Sequence, residues 1–409
     1  MQAIKIRLGS MMFLQFFIWG AWFVTLGTFL SQTLKADGPQ IGAAFASQSW
    51  GAIIAPFFVG LIADRFFNAE RILGILHLVG AVLMYLMAQA ADFSTFYPLV
   101  LGYMLAYMPT LALVNSVAFA QLQQPEREFG QIRVWGTIGW VVAGLVISYG
   151  FAWDASTAIA EGALQNTFML GAIASALLGF YSFSLPATPP ASRGQAIKLG
   201  ELLGLDALKL LKDRNFALFF LSSILICIPL AFYYQNANPF LTAVGVENAT
   251  GKMTLGQVSE VAFMLALPIF LQRFGIRWTL ILGMAAWVLR YVLFAYGDAG
   301  SGMLMLLLGI ALHGICYDFF FVSGQIYTHS KAGAAFKSSA QGLITLATYG
   351  IGMLIGFSVA GQVTQAFTTD AGADWQQIWL FPAAFAAVVL VLFVLVFKNE
   401  KLNDEQPHD

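Results

Sequence analysis

The chain has 409 residues, 59% of them apolar and only 10% charged, with a net charge of -1. A soluble domain carries roughly 25% charged residues, so water is excluded as the solvent for most of this surface. The near-neutral charge leaves no basic stripe to neutralise phosphates, which excludes nucleic acid, and the two cysteines, Cys227 and Cys316, lie in apolar runs as small buried hydrophobes.

At the N-terminus Lys5 and Arg7 precede an apolar run from about Leu8 to Leu30. The run is longer than the roughly 7–15 residues of a signal-peptide core and reads as a first membrane span. A bilayer core asks for about 20 predominantly apolar residues, and twelve such stretches succeed one another. The first six lie near 8–31, 41–63, 72–91, 95–122, 130–151 and 165–185. The second six lie near 215–243, 253–273, 277–297, 302–330, 338–367 and 376–398. Residues 186–214 form the longest polar segment, with Thr188-Pro189-Pro190 followed by Arg193, Lys198, Lys209, Lys212 and Arg214. It reads as a linker with a short amphipathic helix, dividing a bundle over 1–185 from a second over 215–398, with a tail at 399–409.

Positive charge sets orientation, because cytoplasmic loops are enriched in Lys and Arg. With the N-terminus inside, only Lys35 and Lys252 fall in outer loops and only Arg133 and Arg290 within spans. Both termini are then cytoplasmic, which an even number of spans requires. Six spans, a basic linker and six more match the layout of the major facilitator fold: an all-α membrane protein of two six-helix bundles. The string GLIADRFFNAER supplies Gly60, Asp64, Arg65 and Arg71, a match to the loop between spans two and three of that superfamily.

Ionisable groups inside a membrane are expensive and face a cavity or a partner. In span one, Gln15 and Trp19 share a stripe. In span five, Arg133, Thr137 and Trp140 lie on one helical face; the arginine either snorkels to the interface or binds a polar aromatic solute. In span seven, Tyr234, Gln235 and Asn238 sit among Pro229 and Pro239 and are expected to break the helix and line a cavity. In span eight, Gln257 and Glu260 are three apart. Glu260 either bonds to an adjacent helix or loads and releases a proton. Span nine carries Arg290, and span ten carries His313, Tyr317 and Asp318. An ion pair between Arg290 and Asp318 is expected, which leaves Glu260 as the favoured proton carrier and Asp318 as the alternative.

The strings FLQFFIWGAWFVTLGTFL, AYMPTLALVNSVAF, IRVWGTIGW, GLDALKLLKDR, AWVLRYVLFAYGD, YDFFFVSG and DWQQIWL together resemble the bacterial nucleoside:proton symporter family of the major facilitator superfamily. The resemblance covers nearly the whole chain. It implies proton-coupled nucleoside uptake across the inner membrane by alternating access, with Arg133, Thr137, Gln257, Glu260 and Asp318 at positions of the binding and coupling machinery. The chain departs from that pattern in spans seven and ten, where its polar groups are Tyr234, Gln235, Asn238, His313 and Tyr317. A proton-coupled sugar symporter of the same fold is the alternative. No HExxH pair, Gly-rich nucleotide loop or Walker sequence occurs. The chain is thus not expected to be an enzyme or to need a metal or cofactor; a proton gradient drives it. It is expected to act as a monomer, its partners a small solute, protons and the lipid bilayer.

Overall fold

In the computed structural model, which describes residues 2–59, 66–190 and 205–400, apolar runs punctuated by Asp, Pro and Gly become helices almost throughout. Among the described residues, nine helices are long and apolar enough to cross a membrane. One of them, Ala249–Tyr296, is two spans. As a straight rod its 48 residues would reach roughly 70 Å, against a hydrocarbon core of about 30 Å. Gly275 breaks it with φ 72° and ψ 173°, a conformation that a side chain would strain. The broken first helix and Gln165–Ser182 complete twelve.

These are α1 (Gln2–Gly20), continued past a turn through residues 26–33, α2 (Gly38–Phe58), α3 (Ala69–Ala88) and α4 (Phe93–Gln121). Next come α5 (Pro125–Leu145), α6 (Gln165–Ser182), α7 (Arg214–Ala243), α8 (249–274) and α9 (276–296). Last are α10 (Met303–Ala332), α11 (Ser339–Ala366) and α12 (Trp375–Val396). Four aspartates start helices by accepting from the backbone of the first turn. Asp37 accepts from Gln40 at 2.8 Å, Asp92 from Thr95 at 2.8 Å, Asp213 from Phe216 at 2.9 Å and Asp374 from Gln377 at 3.2 Å. Hydrogen bonds from Ser94 and Thr95 hold the Asp92 carboxyl below its usual range. For Asp213, burial pushes upward, but the Phe216 amide and Lys331 outweigh it and the net shift is downward.

The helices fall into two compact units. The first gathers α1–α6 with the segment Tyr234–Thr254; the second takes α7 up to Tyr233 and everything from Leu255 through α12. In the first unit, Phe29, Phe96 and Phe168 interlock at centroid distances of 4.8–5.6 Å. Beside them runs a buried polar chain. His77 Nε2 lies 2.7 Å from Gln15 Oε1, Gln15 Nε2 donates to Thr110 at 2.7 Å, and Tyr107 donates to the Gln15 carbonyl at 2.7 Å. Residues 234–254 are fastened to this unit by side chains. Thr28 donates to Asn238 at 2.6 Å, and Asn238 donates to Thr250 at 3.1 Å. Asp154 Oδ2 accepts from Ser148 at 2.5 Å and from the Thr250 amide at 3.0 Å, while the Gly251 amide donates to Ser148 at 2.6 Å.

In the second unit, Trp287, Tyr291 and Trp379 stack in sequence at 5.9 and 5.4 Å, and the Tyr291 hydroxyl donates to the Pro229 carbonyl. α7 runs unbroken from Arg214 to Ala243, which corrects the expectation that its prolines and amides would break it. The far end of α12 is held by Arg277, which donates to the carbonyls of Phe397 and Val394 at 2.9 and 2.8 Å. Lys331 bridges Asp213 and Glu400 at 2.9 and 2.8 Å. Leu205–Lys212 is a 3-10 helix whose Ala207 packs on Ala332, Ala340 and Leu343. The superfamily-like motif falls mostly outside the described residues: Gly60, Asp64 and Arg65 do so, while Arg71 is exposed in the first turn of α3.

Candidate functional site

In the first unit, α5 presents Arg133, Thr137 and Trp140, all half-buried, at the i, i+4, i+7 spacing that puts them on one face. The Arg133 guanidinium sits 4.0 Å from the centroid of the Phe16 ring, a cation–π contact worth about 0.5–2 kcal/mol. Trp140 meets Trp19 edge to face at 5.6 Å and Phe23 at 6.5 Å, and Phe23 meets Tyr234 at 6.0 Å. Trp19, Phe23, Trp140 and Tyr234 therefore form one aromatic group beside an arginine and a hydroxyl. Phe23 was not anticipated; its signal was its place four residues after Trp19.

Gln235 follows Tyr234 and is fully buried, yet neither atom of its amide has a hydrogen-bond partner. Buried amides are normally satisfied, so this one is set apart. Asn238, also expected to bind substrate, is instead committed to Thr28 and Thr250. Gln15 is likewise committed, its two amide ends taken by His77 and Thr110. Both belong to the packing of the first unit. A cavity of about 610 Å³ opens between α1 and α5, lined among others by Lys5, Gly9, Phe13, Gln131 and Trp135. It lies beside Arg133 in sequence but takes in none of the expected site residues, so the chemistry rests on the buried polar groups rather than on this opening.

In the second unit, α8 and α10 touch backbone to backbone. A Cβ on Gly314 would stand 2.5 Å from the Ser259 carbonyl oxygen and 2.7 Å from the Glu260 nitrogen, so only glycine allows the approach. Glu260 Oε2 is then 3.8 Å from His313 Nε2. On the other edge of the ring, His313 Nδ1 lies 3.1 Å from Arg290 Nη1. Tyr233 packs flat against both, with the guanidinium 3.4 Å from its centroid and the imidazole 5.3 Å away. Tyr317 continues the stack at 5.8 Å and its hydroxyl bonds to that of Tyr349. Gln257 is half-buried on α8, one turn before Glu260.

Asp318 begins a π-helical turn, Asp318–Val322, a feature frequent at functional sites. Its side chain is 0% exposed and neither carboxylate oxygen has a hydrogen-bond partner. Glu260 is close enough to act on it electrostatically. The expected Arg290–Asp318 ion pair is not formed, which is a correction: Arg290 turns to His313 and Tyr233, and no described residue pairs with Asp318. Among the described residues, no group of three or more His, Cys, Asp or Glu is placed to hold a metal ion.

Comparison with known proteins gives a consistent result. The model of the nucleoside H+ symporter family matches residues 1–402. The putative nucleoside transporter YegT of Escherichia coli K12 is 45% identical over 96% of this chain and 93% of its own length. The xanthosine permease of the same organism is 36% identical over 97% of this chain and 96% of its own. The crystal structure of the nucleoside transporter NupG superposes with a TM-score of 0.87 at 33% identity, covering 97% of this chain and all of that one.

Proposed function

This chain belongs to the nucleoside H+ symporter family, and from that premise we propose how its own residues bind and couple. It is a multi-pass membrane transporter of the major facilitator fold and not an enzyme. It moves nucleosides together with protons by alternating access. Arg133, Thr137, Trp140, Trp19, Tyr234 and Gln235 hold the nucleoside from the first unit. The rings stack on the base, while the guanidinium, hydroxyl and amide hydrogen-bond to its polar edge and the ribose. Within the second unit, Gln257, His313 and Tyr317 offer further polar groups of the kind that a nucleoside binds. Glu260 and Asp318 carry the proton.

The observation that supports this reading best is Asp318: a fully buried carboxyl in a membrane helix with no hydrogen-bond partner. Such a group is tolerated where it titrates in the working cycle. The paucity of Lys and Arg outside the linker, tails and alternate loops supports a bacterial inner-membrane location with both termini cytoplasmic, and the polar segment 186–214 supports a sequence division into bundles over 1–185 and 215–398. We assign a monomer embedded in lipid, driven by the proton gradient alone. The test is a radiolabelled uptake panel in proteoliposomes with uridine, adenosine, xanthosine and lactose, with and without an inward proton gradient. Gradient-dependent accumulation of at least one nucleoside is expected. Accumulation of lactose alone would contradict it.

A further inference from the structure

The geometry points to Arg290 as a positioning residue: it fixes the tautomer of His313, and so makes the hold of α10 on Glu260 depend on whether Glu260 carries a proton. This inference rests on the symport reading above and deepens it.

A guanidinium only donates and stays charged. Its Nη1 faces His313 Nδ1 at 3.1 Å, so Nδ1 must accept and the ring proton must sit on Nε2. A second ring proton would set an N–H against the guanidinium. The ring is thus left with one donor, Nε2–H, and Nε2 lies 3.8 Å from Glu260 Oε2. The imidazole cannot turn away easily: it is 3% exposed, stacked on Tyr233, and so close to Gly256 that a Cβ there would stand 3.5 Å from the His313 Cγ. Arg290 is equally fixed, 0% exposed among the rings of Tyr233, Trp287 and Phe294. The titratable groups around His313 are Arg290 from α9, Tyr233 from α7, Glu260 from α8, and Cys316 and Tyr317 of its own helix. Asp318 acts on Glu260 in turn.

At 3.8 Å the two groups are beyond hydrogen-bond length, so what draws the Nε2–H and the Glu260 carboxylate together is the assistance of the carboxylate's charge. When Glu260 is protonated that assistance is lost, and its new O–H meets a ring that has no acceptor to offer. The His313–Glu260 contribution to the contact between α8 and α10 is therefore stronger with Glu260 ionised than with it protonated. Without Arg290 the ring can exchange tautomers and accept the O–H, or take the second proton itself. Both states of Glu260 are then held, and the proton no longer changes the contact.

The test compares wild type, Arg290→Met and Arg290→Lys in proteoliposomes by two measurements. Uridine counterflow at equal pH reads binding and translocation, and uphill uridine accumulation under an inward proton gradient reads coupling. Arg290→Met is expected to keep counterflow near the wild-type rate while accumulation falls about tenfold or more, a coupling loss in the usual range. Arg290→Lys retains a charged donor and is expected to restore much of the accumulation. Normal accumulation by Arg290→Met overturns the proposal, as does loss of counterflow in both variants, which would mark Arg290 as a packing residue only. If the wild type neither exchanges nor accumulates a nucleoside, it is the symport reading that fails.

Discussion

A buried polar atom left without a partner costs about 1–3 kcal/mol, and that cost separates side chains that look alike in the sequence. Gln15, Gln235 and Asn238 are all amides in apolar runs. Gln15 and Asn238 are satisfied by neighbouring helices, whereas Gln235 is buried and unsatisfied. Asp318 stands with Gln235, and the missing ion pair changes its role. A bonded Arg290 would have kept it ionised and left the proton to Glu260; without that bond Asp318 is free to titrate. Asp318→Asn keeps size and shape but cannot carry a proton. Gradient-driven nucleoside accumulation should fall about tenfold or more, while counterflow and the melting temperature in detergent stay close to wild type. Undiminished accumulation would move the proton to Glu260. The sequence displayed these ionisable residues plainly, since a charge within an apolar run is visible by inspection. It did not display their partners, because those depend on which face of α9 meets α10 and on the π-helical turn at Asp318, which shifts every later side chain out of the 3.6-residue period.

At the scale of elements, helix starts are the most legible feature and helix-to-helix ties the least. Asp37, Asp92 and Asp374 stand just before apolar runs, and each caps the helix that follows. Asp154 is the hidden case. It lies 96 residues before Thr250, yet it satisfies the first turn of α8 together with Ser148, and no local pattern could have announced that. A capping carboxylate is worth about 0.5–2 kcal/mol. Its loss should loosen Tyr234–Thr254 from α1 and from the end of α5 by roughly two- to thirtyfold in population. Replacing Cys227 and Cys316 by alanine and introducing Thr25→Cys gives a single thiol in the turn that follows α1, three residues before the Thr28 that donates to Asn238. Asp154→Ala should raise its labelling rate by a membrane-impermeant maleimide added on the side bearing Asp37, Asp92 and Asp374. An unchanged rate would show that the tie holds nothing closed.

At the scale of the whole molecule, the twelve spans were legible because each is a run of about 20 apolar residues, and the family match extends over both halves, residues 1–402. Less legible was how the chain divides, since the boundary between compact units falls inside α7 at Tyr233–Tyr234 rather than at a change of composition. The aromatic group around Trp140 and the carboxyls around His313 belong to different units, and symport requires that filling one with nucleoside and loading the other with a proton form a single cycle. The most direct test of that claim is proton movement evoked by substrate. Proteoliposomes containing a trapped pH-sensitive dye, with no imposed gradient, would receive external uridine, adenosine or xanthosine. The account predicts that at least one of them acidifies the lumen in step with its own entry, and that the acidification vanishes in Asp318→Asn. Entry of radiolabelled nucleoside with no change in internal pH would contradict it.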